Sequence, residues 1–109
     1  MKTILVSALA LAALATGAQA GPKVSDMQYL QAARCRGLAA SEALGKLDTV
    51  ALDSFLRAEG QARELAVRAS SASRITGALN EAQKATGEKK DKLIAERNGD
   101  CAVWLRGGQ

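Results

Sequence analysis

Histidine is absent from the 109-residue sequence. Its absence removes the side chain best placed to move protons near neutral pH, and with it Cys/His nucleophile pairs and any histidine-containing zinc site. Proline occurs once, at Pro22, so nothing downstream carries the strongest helix breaker. The only aromatics are Tyr29, Phe55 and Trp104, one early, one central and one late. They are too few and too dispersed to stack the bases of a single strand. Cysteine is limited to Cys35 and Cys101, too far apart for a CxxC redox motif or a haem attachment site. The carboxylates form no EF-hand loop and no ExxH pairing. Ser70, Ser71 and Ser73 with Lys84 are the nearest approach to a Ser/Lys nucleophile, and they read as a solvated helix junction. The chain is therefore expected to be no enzyme and to carry no metal or cofactor.

The amino terminus is more informative. Lys2, the uncharged run from Thr3 to Ala15 and the small-residue pattern Ala18-Gln19-Ala20 before Gly21 form a secretory signal peptide over residues 1–20. The run is shorter than the roughly 20 apolar residues a spanning helix needs. The cysteine nearest the cleavage point is Cys35, so lipoprotein processing is not signalled. These features predict a single domain over residues 21–109, periplasmic or secreted, without stable membrane insertion after cleavage.

Fifteen Lys and Arg face eleven Asp and Glu, a net charge of +4 that falls to +3 once Lys2 is removed. The two signs are interspersed, and only Lys89-Lys90-Asp91-Lys92 approaches a cluster. The footprint of a nucleic-acid binder is missing, as is the segregated basic face of a membrane-surface helix.

Ala, Leu, Glu, Lys, Arg and Gln dominate the mature region and predict an all-α fold. A first helix is expected over about 24–44, opened by a capping box of Ser25 and Gln28 and stopped by Gly45. Leu30, Ala33, Gly37, Ala40 and Leu44 share one face, with small residues that admit a close neighbour. A second helix is expected from Asp48 or Thr49 to about 70, with Leu52, Phe55, Leu56, Ala62, Ala66 and Ala69 inward. Asp53 with Arg57 and Glu64 with Arg68 form acid-first i,i+4 pairs on its opposite face. The serines at 70, 71 and 73 suggest a break, followed by a third helix over about 73–85 with Ile75, Ala78, Leu79 and Ala82 inward. A last helix over about 88–105 carries Leu93, Ile94, Cys101, Trp104 and Leu105 on one stripe.

The expected architecture is thus a small up-down bundle of three to four helices. An even cysteine pair in a small exported domain is most simply a disulfide, and Cys35–Cys101 would close the bundle between its first and last helices. Three charges fall within apolar stripes: Arg34, Glu59 and Arg97. An unpaired buried charge costs several kcal/mol, so Glu59 is expected to meet Arg97 or Arg34 across the bundle, or the arginine stems to reach the rim.

Exported helical bundles with one disulfide include acid-stress chaperones, secretion-system pilotins and inhibitor or immunity proteins of Gram-negative bacteria, and the chain resembles that general type. The stretch Tyr29-Leu30-Gln31-Ala32-Ala33-Arg34-Cys35 with Gly99-Asp100-Cys101 resembles the pilotin pattern of an early Tyr-Leu, a Cys and a late second Cys. The likeness covers about a dozen residues and departs from pilotins in lacking a lipid-anchor cysteine, so it assigns no family. The function expected is an interaction module that binds another envelope or secreted protein, as a chaperone, inhibitor or adaptor does. The alternative is a carrier whose apolar cavity holds a small apolar or carboxylate-bearing ligand, with Arg34 and Arg97 at its mouth.

Overall fold

The computed structural model describes residues 23–109, and the signal peptide expected over residues 1–20 lies outside the described residues. Five helices follow one another among them: α1 (Asp26–Ala40), α2 (Val50–Gly60), α3 (Leu65–Lys84), α4 (Gly87–Asn98) and a single turn, α5 (Ala102–Leu105). The fold is the expected all-α up-down bundle, with one helix more than the sequence suggested.

The organising element is α1. Its start is the capping box: Ser25 Oγ accepts from the Gln28 amide at 3.1 Å, and Gln28 Oε1 accepts from the Ser25 amide at 2.9 Å. It is rich in small residues, and Tyr29, Ala32, Ala33, Cys35, Gly37, Leu38 and Ala39 are all buried on several sides of the helix rather than along one stripe. Such a helix is central, with neighbours around it. α2 runs antiparallel to it, because Asp53 near its start meets Arg36 while Gly60 at its end lies under the Tyr29 hydroxyl. α3 runs parallel to it: Arg74 borders the first turns of α1, and Leu79 and Gln83 border its far end. The approach of α1 to α3 is very close. A Cβ on Gly37 would stand 2.5 Å from the Ile75 carbonyl oxygen and 2.7 Å from Ala78 Cβ.

α4 descends from the far end of α3 only as far as Glu96 reaches Arg34. The chain then turns at Gly99-Asp100 and brings Cys101 to Cys35, which it bonds with Cα atoms 5.4 Å apart. Leu38, Leu44, Leu52, Leu93 and Trp104 fill the core around this bridge, and Phe55 packs on Trp104 with ring centroids 5.5 Å apart.

Four expectations about helix limits need correction. α1 ends at Ala40, not 44; Ser41 Oγ accepts from the Leu44 amide, and the chain folds back so that the Leu47 amide donates to the Ala39 carbonyl. Gly45, at φ 90°, serves this turn. The second helix does not continue to 70. It stops at Gly60, which packs so closely on Tyr29 that a Cβ would stand 3.1 Å from the hydroxyl oxygen, and Ala62, Ala66 and Ala69 are exposed rather than inward. The serine cluster is no break: α3 passes through it, with Ser71 buried against the bundle and Ser70 and Ser73 outside. The last helix is divided: α4 ends at Asn98, and the turn at Gly99-Asp100 leads to Cys101 and its bond to Cys35 before α5 begins.

Candidate interaction surface

Guanidinium groups hold the bundle together around α1. From α1, Arg36 donates to Asp53 of α2 at 2.8 Å, and Thr49 Oγ1 donates to the same carboxylate at 3.0 Å. Partial burial pushes the Asp53 carboxyl up, but the hydrogen bonds from Arg36 and Thr49 and the charges of Arg36 and Arg57 outweigh it and hold the group below its ordinary value. Arg63, in the turn after α2, donates to Asp26, to the Val24 carbonyl and to Glu59, each at 2.7 Å, with its guanidinium carbon 5.2 Å from the centre of the Tyr29 ring. The bond to Asp26 is the main cause that raises its pKa further, with Glu59 adding to it against the cost of burial.

Arg34 joins three helices. Its Nε and Nη2 grip both oxygens of Glu96 on α4, at 2.7 and 2.9 Å, and its Nη1 donates to Glu81 on α3 at 2.8 Å. Such a two-pronged pair is among the stronger side-chain contacts. The bond to Glu96 raises the guanidinium pKa, and with the bond to Glu81 it outweighs the opposing effect of partial burial.

Arg97 is the most buried charged residue, 8% exposed. Its Nη1 donates to the Leu44 and Gly45 carbonyls at 2.7 and 2.8 Å, and its Nε to Asn98 Oδ1. It closes the turn after α1 by satisfying backbone oxygens, not a carboxylate.

The inward placement of Arg97 agrees with its position on the stripe, but the expected meeting of Glu59 with Arg97 or Arg34 does not occur. Glu59 pairs with Arg63 one turn along its own chain, at 2.7 Å. The physical reason is local: once α2 ends at Gly60, the turn swings Arg63 beside Glu59 and Asp26, closer than any arginine across the bundle. Asp53 likewise faces Arg36 instead of pairing outward with Arg57. The carrier alternative needed Arg34 and Arg97 together at one mouth. Instead they are separately occupied, one by two carboxylates and the other by carbonyls.

Because α4 extends no farther than Arg34, the first turns of α1 have no helix over them beside α3 among the described residues. An open groove of about 600 Å³ runs there, lined by Met27, Leu30, Gln31 and Arg34 of α1 and by Arg74 of α3, with Ser25 and Gln28 at its end. Met27 is 80% exposed. Arg74 is exposed and makes no ion pair or side-chain hydrogen bond among the described residues, and no carboxylate lines the groove. Neither Met27 nor Arg74 stood out in the sequence as functional. The signal available was the position of Met27 one turn before Leu30, where its burial depends on the length of another helix.

Among the described residues no helix is long and apolar enough to cross a membrane, and no three His, Cys, Asp or Glu side chains group as metal ligands. No protein family, curated protein or solved structure matches the chain.

Proposed function

We propose that this is an exported, non-enzymatic interaction module, a disulfide-closed helical scaffold that presents the groove beside α1 to another envelope or secreted protein. The observation that carries the reading is the groove itself. A helix held by arginines and a disulfide on its other sides leaves Leu30 and a strongly exposed Met27 open, next to an unpaired Arg74. Apolar anchors with a polar rim on rigid elements are what protein recognition uses. A carrier instead encloses most of its ligand's surface, whereas this groove is open along its length.

The test is photo-crosslinking from a benzophenone amino acid at position 27 in the organism's own envelope, beside the same probe at position 46 in the loop that follows α1. A discrete protein adduct from position 27 alone is expected. Native mass spectrometry that instead finds a small molecule retained, with no protein adduct, overturns the reading in favour of a carrier.

A further inference from the structure

We infer that the groove between the first turns of α1 and the middle of α3 takes a short amphipathic helix with an acidic flank from the partner. The inference rests on the interaction-module reading and adds the chemistry of what binds.

Three features of the groove set the occupant. The first is shape. From Ser25 to Arg34 the wall formed by α1 rises about 13 Å, two to three turns of helix. It lies between two helices that run in the same direction, and it begins where α4 stops, so a further helix there would extend the layer that α4 starts. The second is polarity. Leu30 and Met27 supply an apolar strip one turn long, the spacing that receives residues at i and i+3 or i+4 of a docking helix. The third is charge. The groove carries two guanidinium groups and no carboxylate, and its neutral members Ser25, Gln28 and Gln31 offer no counter-charge.

The two arginines are not equivalent. Arg34 is already matched by Glu81 and Glu96, so it contributes its stem and a neutralised head. Among the described residues Arg74 has no such partner, and it is left for a carboxylate that they do not supply. A basic or neutral helix would leave Arg74 partly desolvated without compensation, at a cost. A lipid surface fits less well, since Arg34, already neutralised, and Arg74 are the basic residues lining the groove. A second copy of the chain would have to bring its own carboxylates into reach of Arg74. Self-association through this face is therefore an outcome to exclude by measurement.

The test uses the mature protein and two stapled helical peptides of about 14 residues, long enough to hold helix once constrained. Both carry leucines at i, i+3 and i+7; one has glutamates on its flanks and the other lysines at the same positions. Titrated into isotopically labelled protein, the glutamate peptide is expected to shift the amides of Met27, Leu30, Gln31 and Arg74 and to bind at least tenfold more tightly than its lysine twin. The Arg74→Glu variant should reverse that preference, and Lys46→Glu, the same charge change in the loop after α1, should leave it intact. Equal binding of the two peptides, no binding of either, or shifts centred away from Met27 overturns the inference. So does a dimer that Met27→Asp dissociates, which assigns the groove to a second copy, and so does binding to phosphatidylglycerol vesicles that Arg74→Glu abolishes while the peptides stay free. If the crosslink from position 27 captures a protein whose attached segment is not an acidic helix, this inference fails while the module reading stands. If no protein adduct forms at all, both fail.

Discussion

At the scale of single residues, the structure separates being turned inward from being paired with a charge. Arg97 and Glu59 both fall on apolar stripes, yet only Arg97 is deeply buried, and its partners are the Leu44 and Gly45 carbonyls. Replacing Arg97 by Met removes a buried charge and strands those oxygens, and the cost of unmet buried acceptors predicts a loss of about 2 kcal/mol in chemical denaturation. Glu59→Gln weakens one partly exposed i,i+4 pair and should cost under about 1 kcal/mol. Because the two residues share no partner, the double variant should be additive within about 0.5 kcal/mol; strong coupling would mean that they meet. Asp53 makes a pH prediction. Its folded pKa lies below the ordinary value, so its contribution to stability is complete above about pH 4, the unfolded range, and is lost as the pH falls through the lower folded value. Acid titration of the unfolding free energy should show a shallower decline below pH 4 for Asp53→Asn than for the natural chain.

At the scale of elements, helix content and the inward side of α4 at Leu93 and Arg97 were legible, because period and capping act within a few residues, whereas the single stripe expected on α1 was not: Tyr29, Ala32, Leu38 and Ala39 are buried outside it and Leu30 and Ala40 only partly within it. The Ser25 capping box formed as its spacing dictates. Helix ends were less legible. Ser70, Ser71 and Ser73 tolerate both helix and turn, and the decision fell to α1, which offers a surface along which Ser71 packs. The break that does occur, after Gly60, falls where α2 packs on Tyr29, a residue distant in sequence. Gly37 belongs at this scale as well, since the close approach of α3 exists only without its side chain. Gly37→Ala should force the helices apart and cost about 1–3 kcal/mol, as overpacking does. Gly77→Ala, in the same α3 with open space beside it, should instead stabilise by about 0.5–1 kcal/mol through helix propensity. Thermal melts of the two variants check both signs, and a shared direction would refute the packing described.

At the scale of the whole molecule, the core is small and rich in alanine, so the Cys35–Cys101 bridge, spanning 66 positions, has a large share in its stability. Loop-closure entropy gives about 4 kcal/mol as an upper figure. Reduction should lower the melting temperature of this small domain by more than about 10 °C, and an unchanged melt would show that packing alone suffices. The sequence by itself determined that the chain is helical, how α1 begins, that Arg97 faces inward and which cysteines are available to pair, since propensity, periodicity and a pair of cysteines are local or countable. Tertiary structure alone decided where α2 ends and α3 begins, that Glu59 turns to Arg63, and that Arg34 is shared between Glu81 and Glu96. It also decided that Met27 and Arg74 border an uncovered groove. Each of these depends on how far one helix reaches along another, a distance fixed by packing in three dimensions and not by the order of residues within either helix.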